Sequence, residues 1–516
     1  MIYLHVPFCG GFCTYCDFYS EVVPSPLRER MFREYADAVC SEIGARREEI
    51  LTNRLADSSA DTLYIGGGTP SVLPLSVLRR ITATLLSPPL LRSCPPGGMF
   101  PKPSASGPCA SSRRIAPLSG APADAGLIAS ELQTADSTAF WTEVKERKPL
   151  SPGRCMRDET VSGFREFTIE VNPEDIVERG SEYVRGLLQL GANRISMGVQ
   201  SFDDGILRWM NRRHDAARAV RAYDLLRSTA AECRKPLSVS IDLIFGIAGL
   251  SDAVWEDSIA KALTLGAAAG FPPPEHISAY QLSIEEGSAL GRLAAGGRYT
   301  EASEENCRRQ YDMLCSRLTA AGYRHYEISN FALPGREAIH NSAYWRRIPY
   351  VGLGPGAHSL RFETDSGAHS SRFGTGPDGS RREIRSWNSR TLPRRLPDGE
   401  LQTYSSTQEV LTAEDIRVER LMLGLRTAEG LPREDLLTLA DPATVERLLA
   451  EGALEPIDSD APVPPGPCGT CPPGRTDPPG PGGTSPRKPA GSVLASRIHI
   501  PESRLFTADE ILRELV

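Results

Sequence analysis

Tyr3-Leu-His-Val-Pro-Phe-Cys9-Gly-Gly-Phe-Cys13-Thr-Tyr-Cys16-Asp-Phe18 is the stretch on which the fold turns. Three cysteines in a C-x3-C-x2-C spacing follow directly on a short apolar strand at 2–6. Iron–sulfur clusters are ordinarily held by four thiolates, so a loop with three predicts a [4Fe–4S] cube with one iron left for a small molecule. Gly10 and Gly11 lack Cβ atoms and let the backbone pass close to such a cluster. Tyr15, between the last two cysteines, offers a flat face to an aromatic partner. A zinc half-site is the alternative for the same spacing; the flanking Pro7-Phe8 and Tyr15 favour the cluster.

With 516 residues the chain can bury one barrel-sized core and a smaller second one. A net charge of −7 and a pI near 5.8 exclude bulk nucleic-acid binding as a function class. No apolar run reaches the roughly 18 residues of a membrane span, and no amphipathic anchor stands out to argue for membrane association. The first strand begins at Ile2 with no leader before it, which predicts a cytoplasmic protein. In such a chain twelve cysteines read as metal ligands and ordinary thiols rather than disulfides. Cys40, Cys94, Cys109, Cys155, Cys233, Cys307 and Cys315 are scattered. Cys468 and Cys471 form a C-x2-C without a second pair, inside Pro/Gly-rich sequence, and are read as incidental.

Strand-like and helix-like patterns alternate along the chain, the signature of βα units around a parallel sheet. Strands are expected at 2–6, 62–65, 167–171, 194–200, 239–245 and 276–282. Helices are expected at 27–50, 77–85, 182–190, 216–227, 252–265 and 304–320; in the first, Phe32, Ala36, Val39 and Ile43 form one apolar stripe. Six such units predict an α/β fold built on a partial (β/α)6 barrel, covering 1–86 and 159–330. Residues 87–158 and 459–496 are rich in Pro, Gly, Ser and Thr and cannot bury enough apolar surface to offset chain ordering. Both are expected to be disordered insertions, with one helix allowed near 127–141. Helical patterns at 412–425, 432–439, 445–449 and 509–516 predict a small, mostly helical C-terminal domain over 331–458 and 497–516.

Parallel barrels gather their functional groups at the C-terminal ends of the strands. The second strand ends in Gly66-Gly67-Gly68-Thr69-Pro70, a bare turn that can approach a ligand. The third carries Glu170 inside Ile-Glu-Val-Asn-Pro173, where an inward carboxylate asks for a cation, either a ligand ammonium or a barrel Arg. The fourth runs Asn193-Arg-Ile-Ser-Met-Gly-Val-Gln200-Ser-Phe202, with Arg212 in the helix after it; the fifth carries Asp242 and Ile244. Gln200 and Asp242 suit ribose hydroxyls, Arg212 a carboxylate, Glu170 an ammonium, and Ile244 an apolar wall. S-adenosylmethionine is an amino-acid nucleoside that needs those partners, and its amino and carboxylate groups suit an open iron.

With these motifs, and with Glu327-Ile-Ser-Asn-Phe331, the chain resembles the radical S-adenosylmethionine superfamily. Within it the likeness is to the coproporphyrinogen-dehydrogenase-like group and its HemW-type haem-chaperone branch. The resemblance implies that Cys9, Cys13 and Cys16 hold the [4Fe–4S] cluster. It implies that Tyr3, Tyr15, Gly67, Gly68, Thr69, Glu170, Gln200, Arg212 and Asp242 contact S-adenosylmethionine. An electron donor is implied as well.

Two functions fit that resemblance. Oxygen-independent coproporphyrinogen III dehydrogenases, which decarboxylate two propionates in porphyrin biosynthesis, carry a further Cys where Phe18 stands here, and a long segment before the cysteine loop where eight residues precede Cys9. The haem chaperones are marked by an H-N-x-x-Y-W motif, matched by His340-Asn-Ser-Ala-Tyr344-Trp345. The resemblance therefore predicts haem as cargo, His340 as its axial ligand with Tyr344 and Trp345 against the macrocycle, and haem-receiving apoproteins as partners. His358, in Tyr350-Val-Gly-Leu-Gly-Pro-Gly-Ala-His358, is the reserve ligand.

Overall fold

The computed structural model describes residues 1–87, 163–364, 381–457 and 497–516. Apart from Ser87, the segments 87–158 and 459–496 lie outside the described residues, and with them Cys94, Cys109, Cys155, Cys468 and Cys471.

Six strands run parallel and in chain order through the sheet: β1 (Ile2–Val6), β2 (Thr62–Gly67), β3 (Glu166–Val171), β4 (Arg194–Gln200), β5 (Ser238–Phe245) and β6 (His276–Gln281). Helices α1 (Arg28–Ala45), α2 (Arg47–Ala56), α3 (Leu75–Leu86), α4 (Pro173–Gln189), α5 (Asp204–Trp209), α6 (Ala216–Cys233), α7 (Asp252–Thr264) and α8 (Glu304–Ala320) accompany them. Because the strand order never reverses, the winding is that of a barrel and not of a doubly wound sheet. The expected partial barrel of six βα units is what forms.

Alternation along each strand explains both faces. Ile2, Leu4, Val6, Leu63, Ile65, Phe167, Ile169, Ile195, Met197, Val239 and Ile241 belong to one continuous buried core shared with the helices. Residues of the opposite parity are mostly polar, and the register aligns them: Tyr3 beside Tyr64, Tyr64 beside Thr168, Thr168 beside Arg194, Ser240 beside His276. These point into the lumen, so the barrel interior is polar from one end to the other.

The helix expected at 27–50 is two helices, because Arg46 leaves helical geometry (φ −101°, ψ 20°). Its guanidinium bonds Glu42, Glu49 and the Gly352 carbonyl. Helix α4 starts earlier than the periodicity predicts, at Pro173 capped by Asn172, and kinks at Gly180 (φ 69°). Among the strands that sequence reasoning did not expect, three short ones border the barrel sheet. β7 (Arg324–Glu327) and β8 (Asn330–Ala332) extend the sheet antiparallel past β6, and β9 (Val351–Leu353) lies parallel beside β1. Runs of three or four residues are too short to display an alternation.

Beyond the barrel, α9 (Ile339–Trp345) precedes an antiparallel sheet of β10 (His358–Thr364), β11 (Arg381–Asn388) and β12 (Ser406–Val410). The helices expected near the C-terminus follow: Ala413–Leu425, Arg433–Leu439, Pro442–Ala450 and Ala508–Leu515. Short strands at Leu431–Pro432, Glu455–Ile457 and Arg497–His499 tie them together. Among the described residues no helix is long and apolar enough to cross a membrane.

Candidate functional site

The cysteine loop is moored to the end of α5. The Thr14 amide donates to the Met210 carbonyl at 3.0 Å and its hydroxyl to the Trp209 carbonyl at 2.9 Å. The Asn211 side-chain amide donates to the Phe12 carbonyl at 2.6 Å. A Cβ on Gly10 would lie 2.5 Å from the Arg213 guanidinium, which is paired with Asp175 at 2.8 Å. Glycine there lets that ion pair close over the loop. All three cysteines are free thiols and half-buried. Burial pushes the Cys16 thiol up to about 11 and raises Cys9 as well, partly offset by hydrogen bonds from Thr69 and Ser20. Such thiols become thiolates only when a metal displaces their protons.

The glycine turn closes under this loop. A Cβ on Gly68 would lie 2.6 Å from the Phe8 carbonyl, and one on Gly67 (φ 108°) would lie 2.5 Å from the His5 ring. The Thr69 hydroxyl sits 3.3 Å from Cys9 Sγ.

Glu170 is held in the lumen by the Tyr64 hydroxyl at 2.6 Å and the Gly67 amide at 3.1 Å. Burial and then the charge of Asp242 raise it to about 7 against these hydrogen bonds. Asp242 rises to about 6 through burial, although Ser278 and Ser196 hydrogen bonds and Arg212 favour its charged form. Two carboxylates made costly in one lumen form a receptor for a cationic group.

Arg212 completes the set. It donates from Nη1 to Cys13 Sγ at 3.3 Å and from Nη2 to the Gly198 carbonyl at 2.6 Å. Its Nε is buried with no hydrogen-bond partner among the described residues. A buried donor left unpaired is costly and is satisfied by an incoming acceptor. Gln200 adopts φ 69°, at the point where the β4–β5 register slips. A non-glycine residue held there is strained, as is common at ligand sites. A Cβ on Gly198 would lie 2.8 Å from the Gln200 amide and 3.2 Å from Arg212, so the glycine lets both side chains share the space. Tyr15 is half-buried, its hydroxyl pushed well up by desolvation, within the electrostatic reach of Cys13, Cys16, Arg212 and Asp242. The sequence-predicted residues thus converge: a sulfur loop, an unsatisfied cationic donor, a glycine cradle and two destabilised carboxylates suit a cluster with a zwitterionic nucleoside beside it. Sequence reasoning missed Tyr64, Ser196 and Ser278, whose hydroxyls hold the two carboxylates; lumen parity was the signal that marks them.

The haem motif is arranged differently. His340 is 1% exposed, with Nδ1 at 2.7 Å from the Thr62 hydroxyl and Nε2 at 3.1 Å from the Tyr344 hydroxyl. Its ring stacks on Tyr64 at 5.0 Å. Burial lowers it to about 3. The amides of Ile339 and His340 donate to Glu166, which is also paired with Arg194. Thr62, Glu166 and Arg194 are the first residues of their strands, so His340 occupies the end of the barrel opposite the glycine turn. As placed, both ring nitrogens are within hydrogen-bond distance of a hydroxyl, so an axial ligand role would require His340 to leave one of these partners. Trp345 is half-buried.

Tyr344 instead lines a cavity of about 260 Å³ with Tyr3, Phe18, Tyr350, His358 and Arg390. Tyr3 belongs to both regions: its hydroxyl donates to His5 Nδ1 at 3.0 Å, while His5 Nε2 donates to the Tyr19 carbonyl at 2.9 Å. Phe18, 72% exposed, stands at the mouth. His358 stacks on Trp387 at 6.1 Å. Partial burial and the nearby Arg385 and Arg390 lower it, so it is neutral and free to act as a ligand at pH 7.

The Radical SAM superfamily model matches residues 132–262. The chain is similar to the haem chaperone HemW of Bacillus subtilis, at 26% identity over 84% of this chain and 84% of that protein. It is similar to HemW of Mycobacterium tuberculosis, at 27% identity over 88% of each. A mitochondrial radical S-adenosyl methionine domain-containing protein 1 of Danio rerio is 25% identical over 88% of this chain and 78% of its own length. Among solved structures, Escherichia coli coproporphyrinogen III oxidase (HemN) aligns with TM-score 0.53 and 17% identity, covering 89% of this chain and 84% of that one. That likeness concerns the fold. In sequence the chain is similar to the HemW-type radical SAM proteins over most of its length, and in fold it is similar to coproporphyrinogen III oxidase.

Proposed function

We propose that this protein binds haem and hands it to recipient apoproteins, with a [4Fe–4S] cluster on Cys9, Cys13 and Cys16 and S-adenosylmethionine beside it. The observation that carries the reading is the meeting of the sulfur loop with the unpaired Arg212 Nε and the Glu170–Asp242 pair, next to a cavity that shares Tyr3 with them. When bound, the cluster supplies an electron to the sulfonium of S-adenosylmethionine. Glu170 takes the ammonium and Arg212 the carboxylate. Asp242 and Gln200 take ribose hydroxyls, and Gly67, Gly68 and Thr69 provide close-approach backbone. Tyr15 covers the loop.

Haem enters at the neighbouring cavity. At about 260 Å³ it accepts one edge of a flat ligand rather than the whole. His358 is the axial ligand in this reading, Tyr344 and Tyr350 supply aromatic walls, and Arg390 meets a propionate. The relatives named as haem chaperones support the cargo. The fold shared with coproporphyrinogen III oxidase sustains a second reading, oxidative decarboxylation of coproporphyrinogen; Phe18 in place of a further Cys disfavours it. One anaerobically reconstituted sample tests both. Haem titration is expected to give a saturable Soret band, and a coproporphyrinogen III assay no protoporphyrinogen IX. Turnover without stable haem binding would replace the chaperone by the enzyme.

A further inference from the structure

Cys315 on α8, His325 on β7 and Glu502, at the start of the short helical turn Glu502–Thr507, come from three elements and meet at one point. One donor atom from each lies within 4.8 Å of the others. Cys315 Sγ is 3.9 Å from His325 Nδ1, and Glu502 Oε1 is 3.2 Å from the same nitrogen. The imidazole is fixed from behind: its ring stacks on Phe331 at 4.1 Å and its side chain is 1% exposed. Nε2 lies 3.3 Å from the Ile328 carbonyl, which can only accept, so Nε2 carries the proton in that contact. Nδ1 is the nitrogen that faces the Glu502 carboxylate and the Cys315 sulfur, and a metal takes the place of the proton that Nδ1 shares with the carboxylate, which can only accept. Metal-binding histidines are oriented in this way, donating the remote N–H to a backbone carbonyl.

The spacing fits a tetrahedral ion of the zinc class. With Zn–S near 2.3 Å and Zn–N and Zn–O near 2.0–2.1 Å, ideal ligand separations are about 3.5 Å for S···N and about 3.3 Å for N···O. The nitrogen–oxygen distance is already there, the S···N distance is a few tenths of an ångström long, and all three donor atoms lie within 4.8 Å of one another. We propose that Cys315, His325 and Glu502 form a site for a zinc-type divalent cation, with water as fourth ligand, separate from the cysteine loop. The mixed S, N and O donors suit zinc rather than magnesium or calcium. On binding, the Cys315 S–H bond gives way to an S–metal bond and the proton between His325 Nδ1 and Glu502 to N–metal and O–metal bonds; these protons leave to solvent and no electron moves. The ion fastens the C-terminal segment to the last helix and hairpin of the barrel, where Phe506 already packs on Tyr311 at 5.4 Å.

The test uses full-length protein with its iron–sulfur cluster reconstituted, titrated with Zn2+ in competition with a chromophoric chelator. One zinc per chain is expected beyond the cluster iron. Cys315→Ser and His325→Ala should each weaken binding by about 100-fold or more. Glu502→Gln, at an exposed carboxylate, should weaken it less. Unchanged iron content reports that each variant has folded. Cys13→Ala should lose iron and keep the zinc. Absence of zinc uptake by the parent protein overturns the site, and so does zinc that survives Cys315→Ser but disappears with Cys13→Ala.

Discussion

The cysteine loop and the His340 helix lie at opposite ends of the same parallel strands, and they treat their polar atoms in opposite ways. At the glycine-turn end, three thiols stand in no disulfide, Arg212 Nε has no partner among the described residues, and two carboxylates are raised towards neutrality. At the other end, both nitrogens of His340 are bonded, and Glu166 satisfies the helix amides and Arg194 together. Both regions carry a recognisable motif. Motif spacing says which chemistry a residue type can perform, while burial and hydrogen-bond saturation say whether its atoms are available to perform it. One end leaves polar groups costly or unpaired, and the other pairs them.

The largest effect should come from breaking the receptive end. Cys13→Ala removes a proposed cluster ligand and the acceptor of Arg212 Nη1, and iron and sulfide per chain should fall to near background in anaerobic analysis. Full iron content in that variant would mean that the loop does not hold the cluster. The closed end responds differently. His340→Ala leaves the Thr62 and Tyr344 hydroxyls unpaired around a buried void and should cost about 3 kcal/mol in denaturant unfolding. His358→Ala should leave stability within about 1 kcal/mol and weaken the Soret band on haem titration. If His340→Ala abolishes haem binding in a protein of unchanged stability, the contrast fails.

A pH series sharpens the comparison. The carboxyl of Glu170 rises from 4.5 to about 7 in the fold, so below pH 4.5 it is protonated in folded and unfolded chains alike and carries no penalty. As pH climbs through that window the unfolded chain ionises first, and ligand-free stability drops by up to about 3 kcal/mol, levelling above pH 7. Glu170→Gln should therefore be more stable than the parent at pH 8 and equal to it at pH 4, while binding S-adenosylmethionine less well. No pH-dependent difference in urea midpoints would remove Glu170 from the strained set. Smallest is Tyr64→Phe, which deletes one hydrogen bond to Glu170 and should cost about 1 kcal/mol while moving the Glu170 titration higher, as read by the pH dependence of nucleoside binding.

Much of the barrel was legible because its strands alternate cleanly: Leu63 and Ile65 face the helices while Thr62 and Tyr64 face the lumen. The break at Arg46 was not, since the apolar stripe of α1 runs through it and the guanidinium finds distant partners in Gly352 of β9 and Ser359 of β10 besides Glu42 and Glu49 nearby. Nor was the cavity, whose lining draws on Tyr3, Phe18, Tyr350, His358 and Arg390 from segments far apart in the chain.

The order of residues alone specified the sulfur loop, the parallel winding and the polar parity of the lumen, because each rests on local spacing and on the two-residue period of a strand. The third dimension alone decided that His340 is sealed and His358 open, that Arg212 keeps a donor to spare, and that Cys315, His325 and Glu502 converge. Whether a polar atom is spent or free depends on neighbours brought from elsewhere in the chain, and no spacing within one segment records them.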